Sequence, residues 1–168
     1  LMDFTDPANP FEIAFFDRGP LSIESLFTGG YWSVYWFNGR LYGAEISRGI
    51  DVFRLTPSEH LSAAEIAAAE AVMMNEFNAQ LQPKVEWAPT RDVAQAYLDQ
   101  MTRANRILND RASEIQSALD ANAGAMSLNN LAAEIEADVV QIESGELGGD
   151  AERMAKLAAV LRGMAAQQ

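Results

Sequence analysis

The stretch GGYWSVYWFNGRLYGAEISRGIDVFRL, residues 29–55, decides how this chain is read. Asn38-Gly39 at its centre is a two-residue hairpin signal, because the primed turns that match strand twist need positive φ, which Asn and Gly tolerate. Around it, residues 31–38 (YWSVYWFN), 41–46 (LYGAEI) and 50–55 (IDVFRL) read as strands, with Arg48-Gly49 making the second turn. Residues 12–17 (EIAFFD) are expected to add a first strand, entered through the two-proline turn DPANP at 6–10. The expectation is a four-stranded antiparallel meander.

Side chains alternate along a strand, so strict alternation puts Tyr31, Ser33, Tyr35 and Phe37 on one face and Trp32, Val34, Trp36 and Asn38 on the other. Both faces are then apolar and both need cover, since burying one aromatic side chain is worth roughly 2–3 kcal/mol. Two arrangements supply it. In an ordinary α+β domain the Ala-rich helices cover one face and the sheet curls over the other. In a β-propeller, four-stranded blades stack face to face, and this chain is then one terminal blade of a longer ring. Tyr31, Trp32, Tyr35, Trp36 and Phe37 are the expected interface residues on that second reading. A glycan-stacking role for Tyr31, Trp32, Tyr35 and Trp36 is the lesser alternative to packing.

The rest of the chain differs in kind. All but three aromatic residues, Phe77, Trp87 and Tyr97, lie before residue 57. Four Lys and Arg against seven Asp and Glu leave −3 there, and the remaining −9 of the total −12 falls afterwards. Helix punctuation begins with TPSE (56–59) and SAAE (62–65), two capping-box patterns that predict a helix over 63–77. Residues 80–89, held between Pro83 and Pro89, read as extended linker. Thr90 caps a helix with Val93, Tyr97, Leu98, Met101 and Leu108 on one face. Further helices are expected over 111–122 (Ile115, Leu119), over 127–144 (Leu128, Leu131, Ile135, Val139, Ile142) and after Asp150 (Met154, Leu157, Leu161, Met164). Narrow apolar stripes on short helices predict a small antiparallel bundle. The fold class is therefore α+β, divided as a blade over 1–56, a helix and linker over 57–89, and a helical bundle over 90–168.

Composition excludes several functions. There are no cysteines, so disulfides, thiolate zinc sites and cysteine nucleophiles are absent. Net charge −12 opposes binding to nucleic acid and to anionic membrane surfaces. No apolar run reaches the ~18–20 residues of a membrane span. The opening LMDFTDPANP has neither a basic nor an apolar leader region, and residue 1 reads as a cut or trimmed end.

Candidate chemistry is sparse. His60 is the sole histidine, and a relay would have to recruit Ser58 or Ser62 with Glu59 or Asp51; neighbours on one turn rarely give that geometry. Asp3 and Asp6 could ligate calcium, although acids beside proline more often bond the backbone of a turn. The run EIEAD (134–138) with Glu143 lacks a Glu-x-x-His partner and reads as a solvated acidic face. The pairs in GGY and GELGGD read as turns and make no phosphate cradle. No organic cofactor is expected.

Residues 1–60 resemble the last blade of LVIVD-repeat proteins, a family of predicted β-propellers. The resemblance rests on FTDPANPFEIAFFD followed by the 29–55 stretch, with Asp3, Thr5, Asp6, Pro7 and Pro10 matching the family's Asp-(Val/Thr)-(Ser/Thr)-Asp-Pro-x-x-Pro turn. It implies a secreted or cell-surface bacterial protein, with the remaining blades on a longer precursor or a separate chain. A helical tail after the propeller is similar to actinobacterial members. The expected function is a non-enzymatic binding or scaffold segment, engaging other proteins through the helical tail. The alternative is part of a metal-dependent propeller hydrolase whose catalytic groups lie mostly elsewhere, with Asp3, Asp6 or Glu45 contributing.

Overall fold

In the computed structural model, residues 1–4, 7–76, 78 and 84–168 are described. The fold is α+β: two small antiparallel sheets precede five helices. The chain divides into two compact units, a β unit of residues 1–61 and 70–82 and a helical unit of residues 62–69 and 83–168.

In the β unit, β1 (Met2–Asp3) pairs with β2 (Phe11–Glu12) as a short hairpin across the two-proline turn. The main sheet is the meander β3 (Tyr31–Phe37), β4 (Arg40–Glu45) and β5 (Gly49–Phe53). The expected strand over 12–17 is corrected by this arrangement. Its start is taken by the hairpin, where the Ile13 and Ala14 N–H groups donate to the Leu1 carbonyl, and residues 14–18 are not strand. Phe16 and Arg18 of this stretch instead pack on the meander, against Tyr31, Phe53 and Asp51, while Phe15 is exposed.

The hairpin turn is as the sequence predicts, with Asn38 at φ 45° and Gly39 at φ 77°. The Asn38 amide does more than turn. Its Oδ1 accepts the Met74 N–H at 2.7 Å and its Nδ2 donates to the Met74 carbonyl at 3.0 Å. Beside it Arg40 pairs with Glu70 at 2.8 Å. This clasp gives the Met74 backbone groups non-helical partners, which fits a helix that stops earlier than the expected residue 77.

Strict alternation fails in β3. Tyr31 pairs with Glu45 but Ser33 with Ala44, so Trp32 is the extra residue of a bulge. Register then assigns the faces. Tyr31, Val34, Trp36, Leu41, Gly43, Glu45, Asp51 and Phe53 lie on one, and Ser33, Tyr35, Phe37, Arg40, Tyr42, Ala44, Ile50 and Val52 on the other. Grouping Tyr31 with Tyr35 was the error of an unbroken period of two.

In the helical unit, α1 (Ala63–Glu70, all but its last residue) opens on the capping box the sequence predicts. The Ser62 N–H donates to Glu65 Oε2 at 2.6 Å and the Glu65 N–H to Ser62 Oγ at 3.1 Å. The earlier TPSE pattern starts no helix; Ser58 and Leu61 instead form an isolated antiparallel bridge. Then come α2 (Arg91–Arg103), α3 (Asn109–Asp120), α4 (Ala125–Ser144) and α5 (Ala151–Ala165). Thr90 and Asp150 cap α2 and α5 through the Val93 and Arg153 N–H groups, and Gly145 ends α4 in the left-handed region. Leu108 is not on the α2 face; it precedes α3 as an exposed N-cap.

The apolar stripes converge as written in the sequence. Met101, Ile115, Leu119, Leu128, Ile135, Leu157 and Leu161 are fully buried, α4 packs most extensively on α5, and α2 touches both α3 and α5. Residues 80–83 of the expected linker lie outside the described residues, while residues 84–88 carry no regular structure. No helix among the described residues is long and apolar enough to cross a membrane.

Candidate interaction surface

The two faces of the meander are in different states. On the first, the Tyr31 ring lies over Gly43, where a Cβ would fall 2.7 Å from ring carbons and 3.3 Å from Phe53. Only glycine fits under that ring. Phe53 meets Tyr31 edge-on at 5.7 Å between centroids, and Phe16 caps both, at 4.7 Å from Phe53 and 6.3 Å from Tyr31. The Tyr31 hydroxyl donates to Asp51, which also pairs with Arg18 at 3.0 Å. Burial, and then the bond and negative charge of Asp51, push the Tyr31 hydroxyl up to about 12. The segment following β2 thus supplies this face with its own cover.

Glu45 is the polar anchor at one end of this face. Its carboxylate accepts the Gly30 N–H and the Ser47 N–H at 2.8 Å each, and the Arg48 N–H as well. These backbone donors, Gly30 foremost, hold its carboxyl below the ordinary carboxylate value against the opposing effect of burial. Its role is to fold a turn, and all of these partners are its own chain.

The second face is open. Its two rungs are Ser33–Ala44–Ile50 and Tyr35–Tyr42–Val52. Ile50 is 74% exposed and Val52 57%, with Ala44, Tyr35 and Tyr42 also exposed. Trp32, at the bulge, is 81% exposed. Of the expected interface residues, Tyr31 is occupied by the chain's own packing, Trp36 and Phe37 are half-buried, and Trp32 and Tyr35 are exposed. Sequence reading passed over Ile50 and Val52, although the alternation in IDVFRL carries both.

The remaining candidates are engaged in structural work. His60 meets the Phe11 ring edge-on at 5.3 Å, with Glu59 3.6 Å from Nε2. Ser58 Oγ accepts the His60 backbone N–H at 3.2 Å, Ser62 sits in the capping box, and Asp51 holds Tyr31 and Arg18. The relay is not assembled. Asp3 is in β1, and Asp6 lies outside the described residues. Among the described residues no three His, Asp or Glu side chains are grouped as a metal site.

The acidic run of α4 is more than a solvated face. Arg111 joins Glu134 at 2.6 Å and Asp138 at 2.7 Å, while Arg162 joins Glu136 at 2.6 Å. Burial alone would lower the Arg111 pKa; the hydrogen bonds and charge of these carboxylates more than reverse it and leave it raised. A further pair, Glu65 with Arg103, is bidentate at 2.8 and 3.0 Å and ties α1 to α2.

No family model, no curated protein and no solved structure matches this chain.

Proposed function

We propose that this chain is a non-enzymatic interaction module whose meander stacks on another β-sheet, as a terminal blade does in a propeller. The observation that carries this reading is the contrast between the two faces of one small sheet. One is covered around Tyr31 and Phe53 by Phe16 and Arg18 of the same chain, with Val34 left exposed beyond them, and the other leaves Ile50 and Val52 in water. Full burial of two such side chains is worth roughly 3–6 kcal/mol in all, a large fraction of what a small unit has to spare. The resemblance of residues 1–60 to LVIVD blades supports the same reading. It adds a setting outside the cytoplasm and partner blades on a longer precursor or a separate chain. In this proposal the acidic helical unit is the appendage that engages other proteins.

The test is binding of an apolar dye such as anilinonaphthalene sulfonate to the 168-residue chain, with Ile50→Lys and Val52→Lys as variants. The expected result is dye fluorescence that each variant reduces while the helical circular dichroism is retained. A chain that binds no dye, stays monomeric and melts sharply would count against the proposal.

A further inference from the structure

Residues 19–30 form a loop with fixed feet and an apolar tip. Arg48 Nη2 donates to the Gly19 and Pro20 carbonyls at 3.3 and 3.2 Å. Ser47 Oγ donates to the Thr28 carbonyl at 2.9 Å, and the Gly30 N–H donates to Glu45 Oε1 at 2.8 Å. Both feet are therefore held by residues 45–48 at the β4–β5 turn. Leu21 closes the neck against Gly29, where a Cβ would lie 3.2 Å from Leu21 Cδ1. Within the tip, Ser22 Oγ accepts the Glu24 and Ser25 N–H groups at 3.1 Å, a turn made by the loop's own side chain. This anchored neck presents Ile23 at 92%, Leu26 at 104% and Phe27 at 65% exposure. Three large apolar side chains exposed within five residues of one loop point to an interaction site.

We infer that the tip is one half of a head-to-tail contact, and that the other half is the open sheet face of a second copy of this chain. The inference rests on reading that face as a stacking surface. Placement favours a second copy. The loop springs from the covered side of the sheet, beside Phe16 and Arg18, whereas the Ile50 and Val52 rungs are on the opposite side. Ile23, Leu26 and Phe27 are exposed and leave Ile50 and Val52 of their own chain uncovered, whereas the same loop on a neighbour can reach them.

Charge agrees with that placement. Glu24 is the sole charged residue from 19 to 30. The open face carries Arg40 at its turn end, where Glu70 already pairs with it, and Arg54 continues the alternation of Ile50 and Val52; no residue in the strands of that face is itself a carboxylate. An apolar tip with the one carboxylate of Glu24 thus meets an apolar face with Arg54 at its margin. A lipid surface fits less well, because the tip has no Lys, Arg, Trp or Tyr.

Size argues against simple face-to-face pairing. Three strands of about five residues make a flat face of roughly 250 Å², against the ~800 Å² per partner of a stable complex. A protruding tip adds contact that a flat face lacks, and the resulting interface belongs to the weak class. Because donor and acceptor surfaces differ, the contact repeats into rings or open chains.

The experiment is analytical ultracentrifugation of the 168-residue chain from about 10 µM to about 1 mM, the range in which weak contacts populate. The wild type is compared with a loop variant (Ile23→Ser with Leu26→Ser) and a face variant (Ile50→Ser with Val52→Thr). Near-ultraviolet circular dichroism checks that each keeps the packing around Tyr31. The wild type is expected to self-associate beyond a dimer, each variant alone to remain monomeric, and an equimolar mixture to form a one-to-one heterodimer and nothing larger. As a second check, Glu24→Arg and Arg54→Glu each weaken association at least threefold, and the two together restore part of it. A loop variant that self-associates like the wild type would overturn the inference while leaving sheet stacking in place. A wild type that is monomeric throughout would overturn it too, with dye binding then deciding the stacking proposal separately.

Discussion

The helical unit and the β unit solve the same problem with opposite results. In the helical unit every stripe finds a counterpart: Met101, Ile115, Ile135, Leu157 and Leu161 meet one another and leave no exposed area. The β unit has the larger side chains, yet it covers only one face of its meander, with Val34 of that face still 49% exposed, and leaves Ile50, Val52 and Trp32 outside. The difference is geometric. A helix has one apolar stripe to hide, and four helices turned inward hide all of them, whereas a sheet with two apolar faces needs a layer on each. Aromatic content therefore says how much surface seeks cover, and it says nothing about whether the same chain provides it.

The sharpest way to break this comparison is to cut into the closed core. Leu157→Ala should cost about 2–5 kcal/mol, read from denaturant unfolding followed by helical circular dichroism. A cost below about 1 kcal/mol would mean that the bundle is not the packed unit its burial indicates.

Next in size is the one face that the β unit does close. Gly43→Val pushes a side chain into the Tyr31 ring, and a loss of about 1–3 kcal/mol with a weakened near-ultraviolet aromatic signal is expected. Retention of that signal would show that the ring is free to leave Gly43.

An effect of similar size separates the units by pH. Burial would raise the Glu65 carboxyl, but the Arg103 fork and the Ser62 N–H outweigh it and hold it below its ordinary value of 4.5. A carboxyl depressed on folding stabilises the folded state above that ordinary value, and the contribution is lost as pH falls through the lower folded value. Glu65→Gln should therefore cost about 1–3 kcal/mol at neutral pH and flatten the acid dependence of helix stability. An unchanged acid profile would remove the pair from the account. Glu45, depressed by the backbone N–H groups of Gly30, Ser47 and Arg48, has the same sign, so Glu45→Gln should blunt acid loss of the aromatic signal instead.

The smallest expected effect is on the open side. Trp32→Ala should change stability by no more than about 0.5 kcal/mol, and wild-type tryptophan fluorescence should include a quenchable, water-exposed component that this variant reduces, leaving the share of Trp87. A cost near 2 kcal/mol would mean that something covers Trp32, and the contrast between the units would fall.

Much of this architecture is legible from local chemistry. Asn38-Gly39 fixed a turn, because few residue pairs tolerate two positive φ values in succession. Thr90, Asp150 and the Ser62–Glu65 box announced helix starts, since each satisfies backbone donors within three residues. Misreadings arose where a distant partner intervened. Residues 71–76 follow the Asn38 clasp and residues 12–17 divide between a hairpin and the Phe16 cap; TPSE differs, because Ser58 closes a local bridge with Leu61 in place of a helix start. The candidate surface was half legible: its aromatic residues stood out, but the bulge at Trp32 reassigned Tyr31 to the covered face and left Ile50 and Val52 as the exposed apolar pair.

By itself, the sequence determined the periods and the punctuation: an antiparallel hairpin at Asn38-Gly39, capped amphipathic helices, an acidic second half and the absence of thiol chemistry. Those properties reside within a few neighbouring residues, where backbone sterics and nearby hydrogen bonds dominate. Only the tertiary structure decided that Tyr31 rests on Gly43, that Glu45 gathers three backbone N–H groups, and which face of the meander remains open. One inserted residue in β3 reverses the side on which everything before it lies, and a reversal of that kind depends on which strand is paired with which, a long-range choice that local pattern does not contain.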